Sequence, residues 1–306
     1  MASKKTLIVL VGPTAVGKTK LSIQLAKKFN SGIISADSRQ FYSEISIGTA
    51  KPSKEELAEV THHFINNLSI NTNYTVGDYE KQCIDLIAKL FLQHDILFLV
   101  GGSGLFVNAI CNGLDEMPSG NLLIREELNN QLKENGLDHL LEELKTLDPI
   151  YYRKVDKANP QRVIRALEVC KSTGIAFSSF HNRNSIDRPF AIIKIGLNTD
   201  RKTLYENINS RVDIMMQEGL LDEVKSVLSY KHLNSLQTVG YKELFDYLDG
   251  LTTLENAVEL IKQHSRNFAK RQLTWFRKDA EIKWFEPQNQ QEIEQYILSK
   301  LELRKN

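Results

Sequence analysis

The phosphate-binding signature at residues 12–19 constrains the fold of this chain more than any other segment. It reads Gly-Pro-Thr-Ala-Val-Gly-Lys-Thr and fits G-x-x-x-x-G-K-[ST] at every position. An apolar, β-prone run precedes it at 6–11, and residues 20–29 follow with apolar side chains near helical spacing. A loop between a buried strand and a helix N-terminus presents backbone N–H groups to a polyphosphate. Lys18 adds a point charge and Thr19 offers a hydroxyl to Mg²⁺, but the loop does not reveal which phosphate is bound.

The composition is that of an ordinary globular chain and excludes several functional classes. Of the 306 residues, 42% are hydrophobic and 25% are charged. No apolar run approaches the ~20 residues of a membrane span. Residues 1–5 lead directly into the first apolar run, so we expect no signal peptide. The formal net charge is only +1, so a nucleic-acid partner would need a local basic patch.

The cysteines and histidines indicate neither a disulfide framework nor a metal centre. Cys83, Cys111 and Cys170 are odd in number and far apart, which argues against disulfides and a zinc ribbon and suits the cytoplasm. His62 and His63 are the only paired histidines, and adjacent residues face apart on regular structure. We therefore predict no histidine metal site.

Strand-like and helix-like segments alternate in the first third of the chain. Residues 32–36 and 96–100 are apolar runs, and 79–93 has helical periodicity. Continuous apolar runs are typical of strands covered on both faces, so we predict an α/β fold with a P-loop NTPase-like parallel sheet core. Ligands of such sheets bind beyond the carboxyl ends of the strands.

A mainly helical insertion is expected between two parts of this core. Helical patterns replace the alternation from about residue 115, and the β-prone run 191–197 marks the return to the sheet. We therefore assign 1–114 and 191–306 to the core, with basic C-terminal helices, and 115–190 to the insertion. The predicted helices are 122–132, 137–147 and 162–170 in the insertion and 201–230, 240–248 and 253–278 in the C-terminal third.

Two polar positions at predicted strand ends are candidates for chemistry. Asp37 ends the second strand, where a carboxylate can order Mg²⁺ or accept a proton from a nucleophile. The alternative is that it only caps a turn. After the third strand, Gly101 and Gly102 permit close approach of the backbone to a ligand and Ser103 adds a hydroxyl, with an ordinary turn as the alternative. No acidic residue of the kind that nucleotide hydrolases use follows that strand.

Two sets of arginines are candidates for phosphate or RNA contacts. Arg162 and Arg165 are three residues apart and share a helix face, although solvated arginines are the usual reading of such a pair. Arg211 lies in an amphipathic segment. It either forms a salt bridge with Asp213, Glu218 or another carboxylate, which is the ordinary reading, or it is a cation over a phosphate cleft.

The last long helix combines positive charge with aromatic residues. Lys262, Arg266 and Lys270 are spaced at i, i+4 and i+8, and Trp275 and Phe276 follow. Such a cationic ridge can bind a nucleic-acid backbone while aromatic rings stack on bases. A solvated charged face is the alternative, and Trp275 could equally belong to the core.

Seven motifs occur in a fixed order from the first strand to Arg277. After the phosphate loop they are Asp-Ser-Arg-Gln at 37–40, Ile-Gly-Thr-Ala-Lys-Pro at 47–52, Gly-Gly-Ser-Gly-Leu at 101–105, Asn-Pro-Gln-Arg-Val-Ile-Arg at 159–165, Val-Gly-Tyr-Lys-Glu at 239–243 and Lys-Arg-Gln-Leu-Thr-Trp-Phe-Arg at 270–277. This order resembles the bacterial tRNA dimethylallyltransferase (tRNA isopentenyltransferase) family over nearly the whole chain. Val16 stands where the family often has Ser, and Ser103 stands where the family usually has Thr. No C-terminal Cys/His module of the eukaryotic relatives is visible, which favours the bacterial type.

The resemblance implies an activity, a cofactor and partners. It implies transfer of a dimethylallyl group from dimethylallyl diphosphate to N6 of the adenosine immediately 3′ of the anticodon, in tRNAs that read codons beginning with U. The products would be N6-isopentenyladenosine and diphosphate. It also implies Mg²⁺ as cofactor and the anticodon arm of tRNA as partner. We expect a cytoplasmic monomer without membrane association, and we expect that ATP is not a substrate.

The resemblance also implies roles for individual residues. Asp37 would be the base at N6, Arg211 would steady the leaving diphosphate, and Lys18 and Thr19 would complete the catalytic set, with Thr19 as the Mg²⁺ ligand. Diphosphate would be bound by Gly12, Pro13, Thr14, Ala15, Val16, Gly17, Lys18 and Thr19. Contacts to tRNA would come from Asp37, Ser38, Arg39, Gln40, Ser103, Arg125, Gln161, Arg162, Val163, Ile164, Arg165, Gln237, Thr238, Val239, Gly240, Tyr241, Lys242, Lys270, Arg271, Gln272, Leu273, Thr274, Trp275, Phe276 and Arg277.

Three other functions share part of this pattern. A P-loop kinase of a small metabolite would use the loop and the core, but it leaves 159–165 and the basic C-terminal helix unexplained. An adenylate isopentenyltransferase would have no anticodon arm to bind. A non-enzymatic RNA-binding module would leave Lys18, Thr19 and Asp37 without a role.

Overall fold

The phosphate loop connects the central strand of a six-stranded parallel sheet to the first helix. A computed structural model describes residues 5–181 and 186–302, so the first four residues, which bear on the signal-peptide prediction, lie outside the described residues. The strands are β1 (Thr6–Val11), β2 (Ile33–Ser35), β3 (His62–His63), β4 (Ile96–Gly101), β5 (Ala191–Leu197) and β6 (Lys283–Phe285), in the order β3-β2-β4-β1-β5-β6. The predicted parallel α/β core is confirmed, and β3 and β6 are additions to it.

Strand β1 is buried on both faces of the sheet. It pairs in parallel with β4 on one side, Thr6 opposite Ile96, and with β5 on the other, Thr6 opposite Ala191. Ile8 and Leu10 pack into one hydrophobic cluster, whereas the alternate residues of the strand pack into a second cluster on the opposite face. This three-layer arrangement explains why the strand reads as a continuous apolar run.

Twelve α-helices are found in the described part of the chain. They are α1 (Lys18–Lys28), α2 (Lys54–Glu59), α3 (Val76–Leu90), α4 (Gly104–Asn112), α5 (Leu122–Leu147), α6 (Pro149–Tyr152), α7 (Pro160–Thr173), α8 (Arg201–Gln217), α9 (Leu220–Ser226), α10 (Tyr241–Leu248), α11 (Leu254–Phe276) and α12 (Gln290–Glu302). The predicted helix 79–93 begins earlier, because Thr75 and Asp78 form a capping box. The predicted helix 201–230 is broken at Gly219, whose φ of +98° starts α9.

The chain divides into two compact units. Residues 1–112 and 187–306 contain the whole sheet, and residues 113–186 form a second unit that contains α5, α6 and α7. The predicted boundaries were 115 and 190. In the helical unit, Gly136 interrupts α5 with a φ of +79°, between the two helices predicted there. Leu128, Leu140 and Val163 belong to its own hydrophobic core.

None of the three cysteines takes part in a disulfide. Cys83, Cys111 and Cys170 are buried free thiols. Burial raises the pKa of each, to about 12 for Cys83 and Cys111. Across the two described stretches of chain, no helix combines the length and the apolar character needed to cross a membrane.

Candidate active site

The segments that follow three strands, together with helices α8, α10 and α11, line a cavity of about 780 Å³, called here the strand-end cavity. Because β1, β2 and β4 are parallel, the segments that follow them emerge at the same edge of the sheet. Thr14, Asp37 and Ser103 each come from one of these segments and line the cavity. Arg211 of α8 and Arg271 of α11 line it as well. Two residues of the phosphate loop, Thr14 and Ala15, therefore line the same space as the predicted base and the predicted leaving-group cation.

The phosphate loop is closed by its own lysine. Lys18 Nζ donates to the carbonyl oxygens of Gly12 (3.0 Å) and Pro13 (2.7 Å). Gly12 has a φ of +153°, and a Cβ there would lie 2.6 Å from the Leu197 carbonyl oxygen, so a larger residue does not fit. Val16 is only 3% exposed and packs in the core, so it can contribute to a phosphate site through its backbone alone.

Three charged groups of the site influence one another. Burial raises the pKa of Asp37, against the opposing effects of the Arg39 N–H and of the Lys18 and Arg39 charges. Burial lowers the pKa of Lys18 to about 8, with Asp37 raising it and Arg211 lowering it further. Burial also lowers the pKa of Arg211. A carboxyl group with a raised pKa and a lysine with a lowered one, in a single cleft, are typical of acid–base chemistry.

The sequence left a turn cap as the alternative role of Asp37 and a salt bridge as the alternative role of Arg211, and the structure shows the first but not the second. Asp37 does cap a turn, because its Oδ1 accepts the Arg39 N–H at 3.1 Å. Its Oδ2 has no hydrogen-bond partner in the described part of the chain and remains available. The salt bridge considered for Arg211 is wrong, because Asp213 pairs with Lys262 at 2.8 Å and Arg211 has no ion pair among the described residues.

Two serines join the turns after β2 and β4. Ser103 Oγ accepts the Ser38 N–H at 3.1 Å and donates to Ser38 Oγ at 3.2 Å. Both residues line the strand-end cavity. The hydroxyls of Ser38 and Ser103 thus lie together at the cavity wall, and the predicted role of Ser103 stays a prediction.

Gln272 connects the phosphate loop to the turn after β4. Its Oε1 accepts the Thr14 N–H at 2.8 Å, and its Nε2 donates to the Gly102 carbonyl at 2.9 Å. A Cβ at position 102 would lie 2.2 Å from Gln272 Nε2, which explains the second glycine of the pair. Gln272 is 6% exposed and lines the strand-end cavity, and both polar atoms of its amide already bind the protein, so the predicted contact to tRNA from this residue stays a prediction.

The side chains of Arg39 and Gln40 also form hydrogen bonds to backbone groups of the protein. The Arg39 guanidinium donates to the carbonyl oxygens of Asn234 and Ser235, both at 3.0 Å. Gln40 Nε2 donates to the carbonyl oxygen of Ala50 at 3.2 Å. The two side chains therefore hold neighbouring loops at the cavity wall, a role that the sequence motif alone did not reveal.

The wall formed by residues 237–242 depends on a carboxylate that the sequence analysis missed. The segment lines the cavity except for Tyr241, which is buried. The Tyr241 hydroxyl donates to Glu223 Oε1 at 2.5 Å, and Glu223 also accepts the backbone N–H groups of residues 46–48 at 2.7, 2.9 and 3.0 Å. Glu223 thus fixes the 46–48 loop and the wall together, so an RNA contact from the Tyr241 side chain is not compatible with this packing.

Helix α11 does not present the predicted cationic ridge. Lys262 donates to Asp213 (2.8 Å) and Glu259 (2.9 Å), and Arg266 donates to Asn209 Oδ1 (2.6 Å). Two of the three ridge cations are therefore held by acceptors within the protein, two of which lie on α8. The prediction of a ridge at 262–270 was wrong.

A different face of α11 lines the cavity. It carries His264, Phe268, Arg271 and Trp275. In the predicted RNA-binding segment, Lys270, Arg271, Thr274, Trp275 and Arg277 are exposed. Phe276 is buried, so its side chain is not available to a ligand, whereas Leu273 packs against the core and is partly exposed.

In the helical unit, two predicted RNA contacts serve the unit's own structure. Arg125 and Arg165 both bind Glu168 Oε2, at 2.7 and 2.9 Å, and Glu168 is 1% exposed. Burial raises the pKa of Glu168, but the bonds from Arg165 and Arg125 outweigh it and lower the pKa overall. Val163 and Ile164 are buried. Only Gln161 and Arg162 of this motif are exposed.

The residues present fit Mg²⁺ bound chiefly through a substrate. Within the described residues there is no group of three or more His, Cys, Asp or Glu side chains that could hold a metal ion. Thr19 lies in the first turn of α1, partly exposed, and its hydroxyl has no hydrogen-bond partner in the described ranges. Mg²⁺ usually keeps several waters and takes few protein ligands beside substrate phosphates, so one hydroxyl at a phosphate loop is a suitable donor set.

Comparisons with known proteins give the same family as the order of the motifs in the sequence. The IPP transferase family model matches residues 40–279. The chain is 51% identical over 292 residues to tRNA dimethylallyltransferase 1 of Bacteroides thetaiotaomicron, covering 95% of each chain. It is 53% identical over 296 residues to tRNA dimethylallyltransferase of Christiangramia forsetii, covering 96% of this chain and 98% of that one.

Solved structures give the same result for the fold. The full-length tRNA isopentenylpyrophosphate transferase of Bacillus halodurans is 39% identical, with a TM-score of 0.74, covering 99% of this chain and 98% of that chain. A eukaryotic dimethylallyltransferase acting on tRNA is 30% identical, with a TM-score of 0.75, covering 89% of this chain and 70% of that chain. Because the likeness extends over nearly the full length of curated relatives in both sequence and fold, the chain belongs to the IPP transferase family.

Proposed function

We propose that this chain transfers a dimethylallyl group from dimethylallyl diphosphate to N6 of the adenosine immediately 3′ of the anticodon, nucleotide 37 of the tRNA. The tRNAs would be those that read codons beginning with U. The names of the relatives support this reaction, as does a cavity that combines a phosphate loop with a base and local positive charge. The products are N6-isopentenyladenosine and diphosphate.

The reaction needs help at both ends of the bond that forms. The adenine amino group is a weak nucleophile because its lone pair is delocalised into the ring. The allylic C1 becomes a good electrophile only when diphosphate leaves readily. As the N6–C1 bond forms and the C1–O bond breaks, one N6 proton must be accepted and negative charge on the diphosphate must be stabilised.

Asp37 is the proposed proton acceptor. The observation that carries the proposal is its position in the strand-end cavity with a raised pKa and one carboxylate oxygen not used by the protein. A raised pKa makes the carboxylate a stronger base than an ordinary aspartate. Its turn bond to Arg39 N–H leaves Oδ2 to accept the N6 proton.

The phosphate loop, Lys18 and Arg211 are proposed to bind the diphosphate. Lys18 must leave the loop carbonyls that it now contacts, or share its three N–H donors with them, to reach a phosphate oxygen. Arg211 has no competing ion pair in the described ranges and lines the same cavity. Thr19 would hold Mg²⁺, which supplies additional neutralisation of the diphosphate charge when bound.

The target adenine is stacked in the anticodon arm and must be extruded to reach Asp37. We propose that exposed cations near the end of α11, Lys270, Arg271 and Arg277, bind the RNA backbone. Gln161 and Arg162, exposed on the helical unit, are proposed to contact the same arm. We further propose that the enzyme is a monomer and that it is cytoplasmic, and the three buried free thiols support the cytoplasmic location.

The experiment combines labelled dimethylallyl diphosphate, unmodified tRNA and Mg²⁺ with wild type and Asp37→Asn. Asparagine retains an acceptor for the Arg39 N–H but cannot accept the proton. We expect kcat to fall by about 10²- to 10⁴-fold, with binding of the donor preserved. Asp85→Asn, an exposed site on α3, is the matched control.

Two results would count against the proposal. An Asp37→Asn enzyme with the wild-type rate would remove Asp37 as the base. AMP as the preferred acceptor, or ATP consumption with a phosphorylated product and no prenyl transfer, would favour an adenylate isopentenyltransferase or a small-molecule kinase instead.

A further inference from the structure

The face of α11 that lines the strand-end cavity follows a regular helical spacing. His264, Phe268, Arg271 and Trp275 succeed one another at intervals of four, three and four residues, and all four line the cavity. Residues at these intervals lie along one stripe of a helix. The stripe contains the rings of Phe268 and Trp275 with the Arg271 cation between them, and it shares no residue with the predicted ridge of Lys262, Arg266 and Lys270.

Both rings are exposed although the rest of the helix packs normally. Phe268 is 39% and Trp275 is 41% exposed, whereas Phe276, the next residue, is 3% exposed and belongs to the core. Neither Phe268 nor Trp275 belongs to a hydrophobic cluster in residues 5–181 or 186–302. Large apolar side chains that are exposed together beside a cavity indicate a surface that a ligand covers.

Each of the two rings has a neighbour within the protein. The Arg271 guanidinium lies 5.8 Å from the centre of the Phe268 ring. Trp275 lies against Gly104, where an added Cβ would approach its Cδ1 to 2.3 Å. Aromatic side chains have only two χ angles, so they lose little conformational freedom when a ligand stacks on them.

We propose that Phe268, with Arg271 and Trp275, forms a stacking surface for unpaired bases next to the target adenosine. This inference rests on the proposed function and adds Phe268 as a residue that determines RNA binding. The occupant is single-stranded RNA, because rings that stack on bases lie beside a guanidinium able to bind a phosphate, in the cavity that holds Asp37. Aromatic and arginine side chains also occur at protein–protein interfaces, and it is the shared cavity with Asp37 that favours RNA as the occupant.

The test compares Phe268→Ala, Phe268→Tyr and a matched control. Tyr230→Ala removes an aromatic ring that is 41% exposed and does not line the cavity. An anticodon stem–loop RNA with 2-aminopurine adjacent to the target adenosine reports stacking through fluorescence quenching. The same variants are assayed for KM for tRNA, for kcat and for binding of dimethylallyl diphosphate.

We expect Phe268→Ala to raise the Kd for RNA and the KM for tRNA by about 5- to 150-fold, the range typical of losing one base–aromatic stack. Quenching should fall, while kcat at saturating tRNA and the donor affinity stay unchanged. Phe268→Tyr should restore RNA affinity and quenching, and Tyr230→Ala should behave as wild type.

The inference is overturned if wild type prenylates tRNA but Phe268→Ala retains full RNA affinity and quenching, and the proposed function then still stands. It is also overturned if Phe268→Ala lowers only kcat, or if it changes only the sedimenting mass of the protein. Failure of the wild type itself to prenylate tRNA would instead refute the proposed function.

Discussion

Replacing Gln272 by methionine should loosen the phosphate loop without disturbing the packing of α11. Methionine has a similar volume and adapts to its surroundings, so the main change is the loss of two hydrogen bonds. These join Gln272 Oε1 to the Thr14 N–H (2.8 Å) and Nε2 to the Gly102 carbonyl (2.9 Å). The loop after β1 and the turn after β4 would lose their direct connection through this side chain.

The magnitude follows from the two backbone groups that are left behind. Gly102 is buried, so its unsatisfied carbonyl costs about 1–3 kcal/mol. Thr14 lies at the cavity wall, where water can replace the lost partner of its N–H, so losing this hydrogen bond costs only about 0.5–1.5 kcal/mol. The free energy of unfolding should therefore fall by about 1.5–4.5 kcal/mol. Inorganic diphosphate should also bind more weakly, because the Thr14 N–H loses its fixed direction.

Urea denaturation measures the first effect and titration calorimetry with inorganic diphosphate measures the second. Gln263→Met, at an exposed position on the same helix, is the matched control and should change the free energy of unfolding by no more than about 0.5 kcal/mol. If the Gln272 variant matches this control in both measurements, the proposed connection between loop and turn is wrong.

Three further predictions concern charged groups. Because the pKa of Lys18 is about 8 in the free protein, its charge is lost as the pH rises above that value, and diphosphate affinity should fall by up to about tenfold per pH unit. In Lys18→Arg, calorimetry should find no such loss, and a wild type that parallels this variant up to pH 10 would contradict the assignment. Glu223→Gln should destabilise the protein by about 2–4 kcal/mol in urea, since an amide cannot accept four bonds with the strength of a carboxylate, whereas Glu206→Gln at an exposed site should be neutral. The lowered pKa of Glu168 means that its stabilising effect is complete above the usual glutamate pKa and is lost as the pH falls through the lowered value. Glu168→Gln should accordingly be less stable than wild type at pH 7 and should lose less stability on acidification, and equal acid sensitivity of the two proteins would refute this.

The parts of the fold that sequence predicted are those recorded in local patterns. The continuous apolar runs at 6–11 and 96–100 predicted buried parallel strands, because only a strand covered on both faces is apolar at every position. The phosphate loop is likewise a local motif with its glycines in sequence. The short strands β3 and β6 have three residues or fewer and carry no such pattern.

The side chains that organise the site were less predictable. Glu223 acts on residues 46–48, more than 170 positions away, so no spacing in the sequence points to it. On α11, polar residues occur on more than one face, and only the acceptors on α8 decide that Lys262 and Arg266 bind the protein. The family motif included Gln272, but it did not distinguish a contact to RNA from a bond that shapes the loop.

The most direct test of the central claim is mass spectrometry of nucleosides from tRNA incubated with the purified protein, dimethylallyl diphosphate and Mg²⁺. The account predicts N6-isopentenyladenosine at the nucleotide immediately 3′ of the anticodon, one diphosphate released per modified tRNA, and loss of both products in Asp37→Asn. Unmodified adenosine at that position with the wild-type protein, or modification that persists in Asp37→Asn, would contradict it.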